Sequence, residues 1–214
     1  TQEHLWTKEY DRNLNNIFVI QNEIALRIAN ALKIQLISSE KKQIGKMRTK
    51  NPEAYKSYLL GKFHFNKKNK NSIFKGLKYF EDAVRLDPGY ALAYVGMADC
   101  FALFGAAGYG SAERDSLILK ANMAVNKALD LDKTLAEAYN SLAYIKFRLE
   151  WDWEAAEKNF KKAIELKPGY ATAYERYAFF LGVFKRFDEA IPLIIRAQQL
   201  DPLSASVGTS FGRI

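Results

Sequence analysis

The sequence predicts an all-α solenoid of antiparallel helix pairs, each stacked on the next. Two observations predict it. Leu86, Leu131, Leu166 and Leu200 lie 45, 35 and 34 residues apart, and Ala83, Ala128, Ala163 and Ala197, three residues earlier, keep the same intervals. The octets Asp87-Pro-Gly-Tyr-Ala-Leu-Ala-Tyr94 and Lys167-Pro-Gly-Tyr-Ala-Thr-Ala-Tyr174 agree at six of eight places. A period near 34 residues with this texture marks helical repeats, which cannot bury their apolar faces singly. Stacking them generates a long concave surface suited to binding.

The helix pairs follow in chain order. From Leu14 to about Ile37 apolar residues recur with helical periodicity, predicting one long helix before the array. His4 to Tyr10 alternates like an edge strand, and Met47 to Asn51 reads as a linker closed by Pro52 in a helix's first turn. The predicted pairs are 52–66 with 71–86, 90–104 with 113–131, 135–149 with 153–166, and 170–183 with 187–200. In the first helix of each pair a small residue marks the close contact: Gly61, Ala98, Ala143, Ala178, then Gly212. In the second it is the Ala83 series, with Phe80, Phe160 and Ile194 filling the grooves beside it. Proline-bearing turns at Pro88, Pro168 and Pro202 close three of the pairs. Longer intervals locate insertions: about three residues at 66–72, about eleven at 105–111, and one near Trp151. Residues 204–214 open a fifth first helix, so the array is expected to continue. The organisation expected is an N-terminal segment over 1–50 and a repeat array over 51–214, with four units and a truncated fifth.

Of the 214 residues 49% are apolar, enough for a continuous core. One cysteine, Cys100, and two histidines, His4 and His64, support neither an internal disulfide nor a zinc set. The opening residues lack the apolar core of a leader peptide. A cytoplasmic location is expected, with an extracytoplasmic side open if a parent protein is membrane-anchored. The apolar run from Tyr90 to Gly110 carries Asp99 and the repeat landmarks, and reads as a buried solenoid helix. The net charge of +8 is concentrated: twelve Lys/Arg lie between Lys41 and Lys78 against one acid, Glu53. That segment is a solvated basic face or a surface for anionic partners.

These landmarks resemble the tetratricopeptide (TPR) family, most cleanly over Ala171 to Pro202, where Tyr174, Tyr177-Ala178, Leu181, Phe187, Ala190, Ile194, Ala197 and Pro202 stand at packing positions. The resemblance covers residues 52–214 and implies a right-handed superhelix that binds peptides or proteins. Lys133 departs from it, standing where a proline is usual. Upstream, Glu3-His-Leu-Trp6, Tyr10-Asp-Arg12, Gln21-Asn-Glu-Ile-Ala25 and Asn51-Pro-Glu-Ala-Tyr55 are similar to the junction between a TolB-like domain and its TPR array in multidomain prokaryotic signalling proteins.

No Ser/His/Asp or Cys/His set has a spacing that converges, no phosphate-cradling loop is present, and no catalytic residue, metal or cofactor is expected. The resemblance places the inner face on first helices. The candidate groove residues are Tyr58, Lys62, Phe65, Asp99, Asn140, Tyr144, Phe147, Glu175 and Phe179, with Lys62, Asp99 and Glu175 orienting a protein or peptide partner. A carboxylate clamp is not expected, because only Lys62 fits one. Trp153 is expected in the core and the extra residue Trp151 at an exposed turn. Binding of nucleic acid or an anionic surface through 41–78 is the alternative, and self-association through the unpaired fifth helix a further possibility.

Overall fold

Asn51 opens the first helix because its side chain accepts the amides of Glu53 and Ala54, while Pro52 supplies a first-turn residue that needs no donor. The computed structural model describes residues 49–107 and 114–211, with the side chains of Ala107, Ala205, Ser210 and Phe211 left aside. Over these residues the helices are α1 (Pro52–Asn66), α2 (Lys70–Leu86), α3 (Ala91–Ala107), α4 (Arg114–Leu131), α5 (Ala136–Ile145), α6 (Trp153–Leu166), α7 (Ala171–Val183), α8 (Phe187–Leu200) and α9 (Ala205–Phe211). The readings of residues 1–48, the loop glycines 108 and 110, and Gly212 lie outside them.

Each odd-numbered helix packs on its own even-numbered partner and on the next odd-numbered helix, and each even-numbered helix packs on the following odd one. That pattern is the predicted pairing, carried by the predicted residues. Ala83, Ala128, Ala163 and Ala197 are fully buried, as are Ala98, Ala143 and Ala178. Phe80 shows why small residues stand opposite it. A Cβ added at Gly61 or at Gly96 would lie 2.6 Å from its ring, so one phenyl fills the space left by two glycines on successive first helices.

Four turns of one design join the repeats. Asp87, Asp132, Lys167 and Asp201 donate their amides to the carbonyls of Ala83, Ala128, Ala163 and Ala197, and Tyr90, Leu135, Tyr170 and Ser204 donate back to those four residues. The second turn forms with Lys133 in place of proline, so the backbone hydrogen bonds are sufficient there.

Lys68, Trp151 and Lys185 each end a first helix with positive φ, at 53°, 58° and 58°. The residue inserted near Trp151 is absorbed by widening the helix. Lys146–Glu150 continues α5 as a π-helical turn before Trp151 caps it, which is how a helix accepts one extra residue without losing its neighbours.

Two of the sequence readings are corrected. Trp153 is 51% exposed and Phe187 41% exposed. Both start second helices at the edge of the array, where no neighbouring repeat covers them.

Candidate functional site

Three surfaces stand out: the inner wall, an aromatic edge and an outer groove. The inner wall is built by the first helices, and a polar network crosses it. Asp99 on α3 accepts a hydrogen bond from the Ser141 hydroxyl on α5 at 2.8 Å and one from the Arg176 guanidinium on α7 at 3.2 Å. Arg176 also lies over the Tyr144 ring at 4.8 Å, a cation–π contact on its second side. The Asp99 and Arg176 side chains are only 16% and 17% exposed. Burial alone would push the Asp99 carboxyl up, but the Arg176 charge and the Ser141 hydroxyl overcome it and hold it below the usual carboxylate range.

Lys68, in the turn after α1, brings a second cation to this wall. Its ammonium stands over the Phe65 ring at 4.0 Å. Burial, then the nearby Arg176 charge, lowers its pKa to about 8. Farther along, Lys167 donates to Glu137 at 2.7 Å, Asn140 donates to the Tyr170 hydroxyl at 3.4 Å, and Ser206 on α9 donates to Glu175 at 3.1 Å. The cavity left between Tyr58, Lys62, Asp99, Glu137 and Tyr170 measures only about 30 Å³. Side chains of the array itself fill most of the wall over the first three repeats.

The nine predicted groove residues therefore divide. Lys62 is exposed, and Tyr58, Asp99, Tyr144, Glu175 and Phe179 are half-buried on the wall. Phe65, Asn140 and Phe147 are buried, at 4%, 1% and 6% exposure, and belong to the packing between repeats. Phe147 makes edge contacts with both Phe179 and Phe180, so its helical spacing reflected the core. Asp99 was expected to meet a partner's charge, but it is occupied by Arg176.

Arg176 and Lys68 were missed in the sequence. Arg176 occupies the repeat position held by Ser141 and Gly96 in the two preceding units, 35 and 80 residues earlier. A long cation where its siblings are small was the available signal.

The aromatic edge lies where first helices end. Trp151 is 63% exposed. Arg114, at the start of α4, stands over its ring at 4.4 Å and donates to the Leu149 carbonyl at 2.9 Å. Trp153 meets the Phe184 ring edge-on at 5.3 Å. With Arg148 and Val183 these residues line a cleft of about 420 Å³.

The outer groove is larger, about 890 Å³. Its walls are α2 and α4 and its floor is α3, with Phe74, Tyr94, Met97, Phe101, Leu117 and Met123 lining it. Cys100 is fully buried nearby in the core, its thiol pushed up by burial and unsuited to reaction. Among the described residues, no helix is long and apolar enough to cross a membrane.

Comparison with known proteins places this geometry. No family model matches the chain. The crystal structure of TTC0263, a thermophilic TPR protein of Thermus thermophilus, superposes with a TM-score of 0.61 at 15% identity, over 94% of this chain and 96% of that one. The fold is a TPR solenoid. Two curated proteins align with part of the sequence. One, from Rhizobium meliloti (strain 1021), is named "Putative adenylate cyclase 3" and is 29% identical over 140 residues, 65% of this chain. The other is the human "Protein O-mannosyl-transferase TMTC3", 26% identical over 141 residues, 64% of this chain. The TPR solenoid spans only 24% and 14% of their respective lengths.

Proposed function

We propose that this TPR solenoid is a non-catalytic scaffold whose concave wall receives a peptide or an extended segment of a partner protein, as a regulatory part of a larger signalling protein. The carrying observation is the Asp99–Ser141–Arg176 network. It ties three successive repeats together along the wall and presents Lys62, Tyr144, Glu175 and Phe179 at fixed spacing. A wall ordered before binding avoids the cost of ordering it on binding. Aromatic rings with charges between them suit a partially polar, extended chain.

The charge of the wall selects the partner. Lys62, Lys68 and Arg176 face Asp99 and Glu175, three cations against two carboxylates, so the preferred segment is acidic and carries at least one bulky apolar residue. The signalling context draws support from the bacterial relative, whose name is that of a nucleotide cyclase and of which this array matches about a quarter. A TolB-like domain upstream belongs to the same proposal and rests on the resemblance of residues 3–55. Tyr144→Ala or Phe179→Ala is expected to reduce capture of the partner while circular dichroism stays unchanged; normal capture by both variants sinks the groove assignment.

A second reading rests on Trp151. An exposed tryptophan stacked with Arg114 beside a 420 Å³ cleft has the composition of a binding hot spot. Trp151→Ala reducing capture while Phe179→Ala does not would move the contact to this edge. Binding of nucleic acid through 41–78 would instead show steep salt dependence in a gel shift.

A further inference from the structure

The outer groove between α2 and α4 is larger than its counterpart between α4 and α6, where the corresponding hollow is about 350 Å³ and includes Asn122, Lys146 and Glu150. Its lining is aromatic and methionine-rich, and Phe74 and Met123 on its two walls are 41% and 63% exposed. Apolar faces of this size on a solenoid mark a missing neighbour. The groove runs along α4 from Leu117 to Asp130, a length of about 20 Å at the rise of an α-helix. A helix about 10 Å wide sunk to half its depth over that length displaces about 800 Å³, close to the volume of roughly 890 Å³ present.

We infer that residues 14–37 of this same chain occupy the groove as an amphipathic helix. The argument starts from where the chain enters the described structure. The Thr49 hydroxyl donates to Asp87, and the Asn51 amide donates to the Leu86 carbonyl at 2.9 Å. Both contacts lie at the joint of α2 and α3, the helices that form one wall and the floor. Glu81 on α2 and Tyr94 on α3 line the groove and lie near that joint in sequence. Residues 38–48, eleven in all, span up to about 36 Å when extended, ample to bring Ile37 to the opening.

The sequence of 14–37 suits the site. Leu14, Ile17, Ile24, Ala25, Ile28 and Leu32 recur at helical spacing, and Glu23, Arg27 and Lys33 are its only charges. The rival seat is the outer face of α1, where Leu59, Leu60 and Phe63 are exposed. That face is flanked by Lys56, Lys62 and Lys67, with Glu53 its one acid, and offers a net-positive segment little. The groove rim instead balances Lys120 and Lys127 with Glu81 and Asp130. Seated there, the helix bridges the second helices of two successive repeats and fixes the angle between them.

Disulfide trapping in the full chain tests this. Ile17, Ile24 or Ile28 is changed to cysteine and paired with either Met123→Cys on the groove or Phe63→Cys on α1; buried Cys100 stays silent. At least one pair with Met123→Cys is expected to close within the chain on oxidation, and none with Phe63→Cys. Closure with Phe63→Cys, closure only between chains, or no closure overturns the assignment. Hydrogen exchange gives an independent reading. Met123→Glu, at an exposed position that leaves the fold intact, is expected to speed exchange of the 14–37 amides at least tenfold while α6 to α8 are unaffected. Unchanged exchange across 14–37 contradicts the proposal.

Discussion

Arg176 reaches Asp99 across 77 positions of sequence, at 3.2 Å, with Ser141 bonded to the same carboxylate oxygen. The three residues come from the fourth, second and third repeats. In a solenoid held together by contacts between neighbours, this bond skips one repeat and acts on curvature directly. Because both ionic groups are largely removed from water, losing one leaves the other without compensation.

Asp99→Ala is therefore expected to lower the stability in urea by about 3 kcal/mol, most of it the cost of stranding Arg176. The double variant Asp99→Leu with Arg176→Met is expected to recover much of that loss. A single variant as stable as the parent would show that the pair contributes nothing.

Lys68 gives a prediction with a pH window. Burial and the neighbouring Arg176 charge hold its folded pKa at about 8, against about 10.4 for an unfolded lysine. The folded state thus binds the proton less tightly, and keeping Lys68 charged costs stability below pH 8. That cost is relieved as pH rises from 8 toward 10.4. Lys68→Met should raise the melting temperature at pH 7, and its advantage over the parent should shrink by pH 9.5. A constant difference across that range would place Lys68 in water.

Close packing around Phe80 is also testable. Its ring lies 2.6 Å from where a Cβ on Gly96 would stand. Gly96→Ala gains about 1 kcal/mol of helix propensity but overpacks the core by roughly 1–3 kcal/mol, so a net loss is expected. Ala178→Leu, at a fully buried site, should lose more than Gly96→Ala. Lys185→Ala, on the surface, is the control and should change little.

On the acid side, Glu157 is the group to watch. It accepts two bonds from Arg186, at 2.7 and 3.1 Å, and one from the Tyr177 hydroxyl at 2.9 Å. The Arg186 bonds hold its carboxyl at about 2, below the usual carboxylate range. A depressed folded pKa contributes stability that is complete above about pH 4.3 and fades as pH falls toward 2. Glu157→Gln should melt lower than the parent at pH 7, with the two curves converging by pH 2.5. Parallel curves would assign acid unfolding to other carboxylates.

The repeat architecture was legible because its signals are local and recur. Small residues at Ala98, Ala143 and Ala178 and the Ala83 series sit where helices touch, and the turns after them repeat hydrogen bond for hydrogen bond. Even the single extra residue near Trp151 could be counted, although its accommodation as a π-helical turn could not. The inner wall was less legible. Helical spacing puts Phe65, Asn140 and Phe147 on the same stripe as Tyr144 and Phe179, but burial depends on how far each repeat rotates against the next. Asp99 was placed correctly on the wall, yet its partner lies two repeats away, beyond any local pattern. Trp153 was misjudged because alignment with Phe187 reports an equivalent position, and both positions lie at an uncovered edge.

The most direct test of the scaffold account is peptide selection from a random display library against the full chain, followed by calorimetry on the wall variants. Selected peptides should be acidic with at least one bulky apolar residue, and Lys62→Ala and Phe179→Ala should each weaken binding about tenfold while Trp151→Ala does not. Peptides without acidic residues, or affinities untouched by both wall variants, would contradict it.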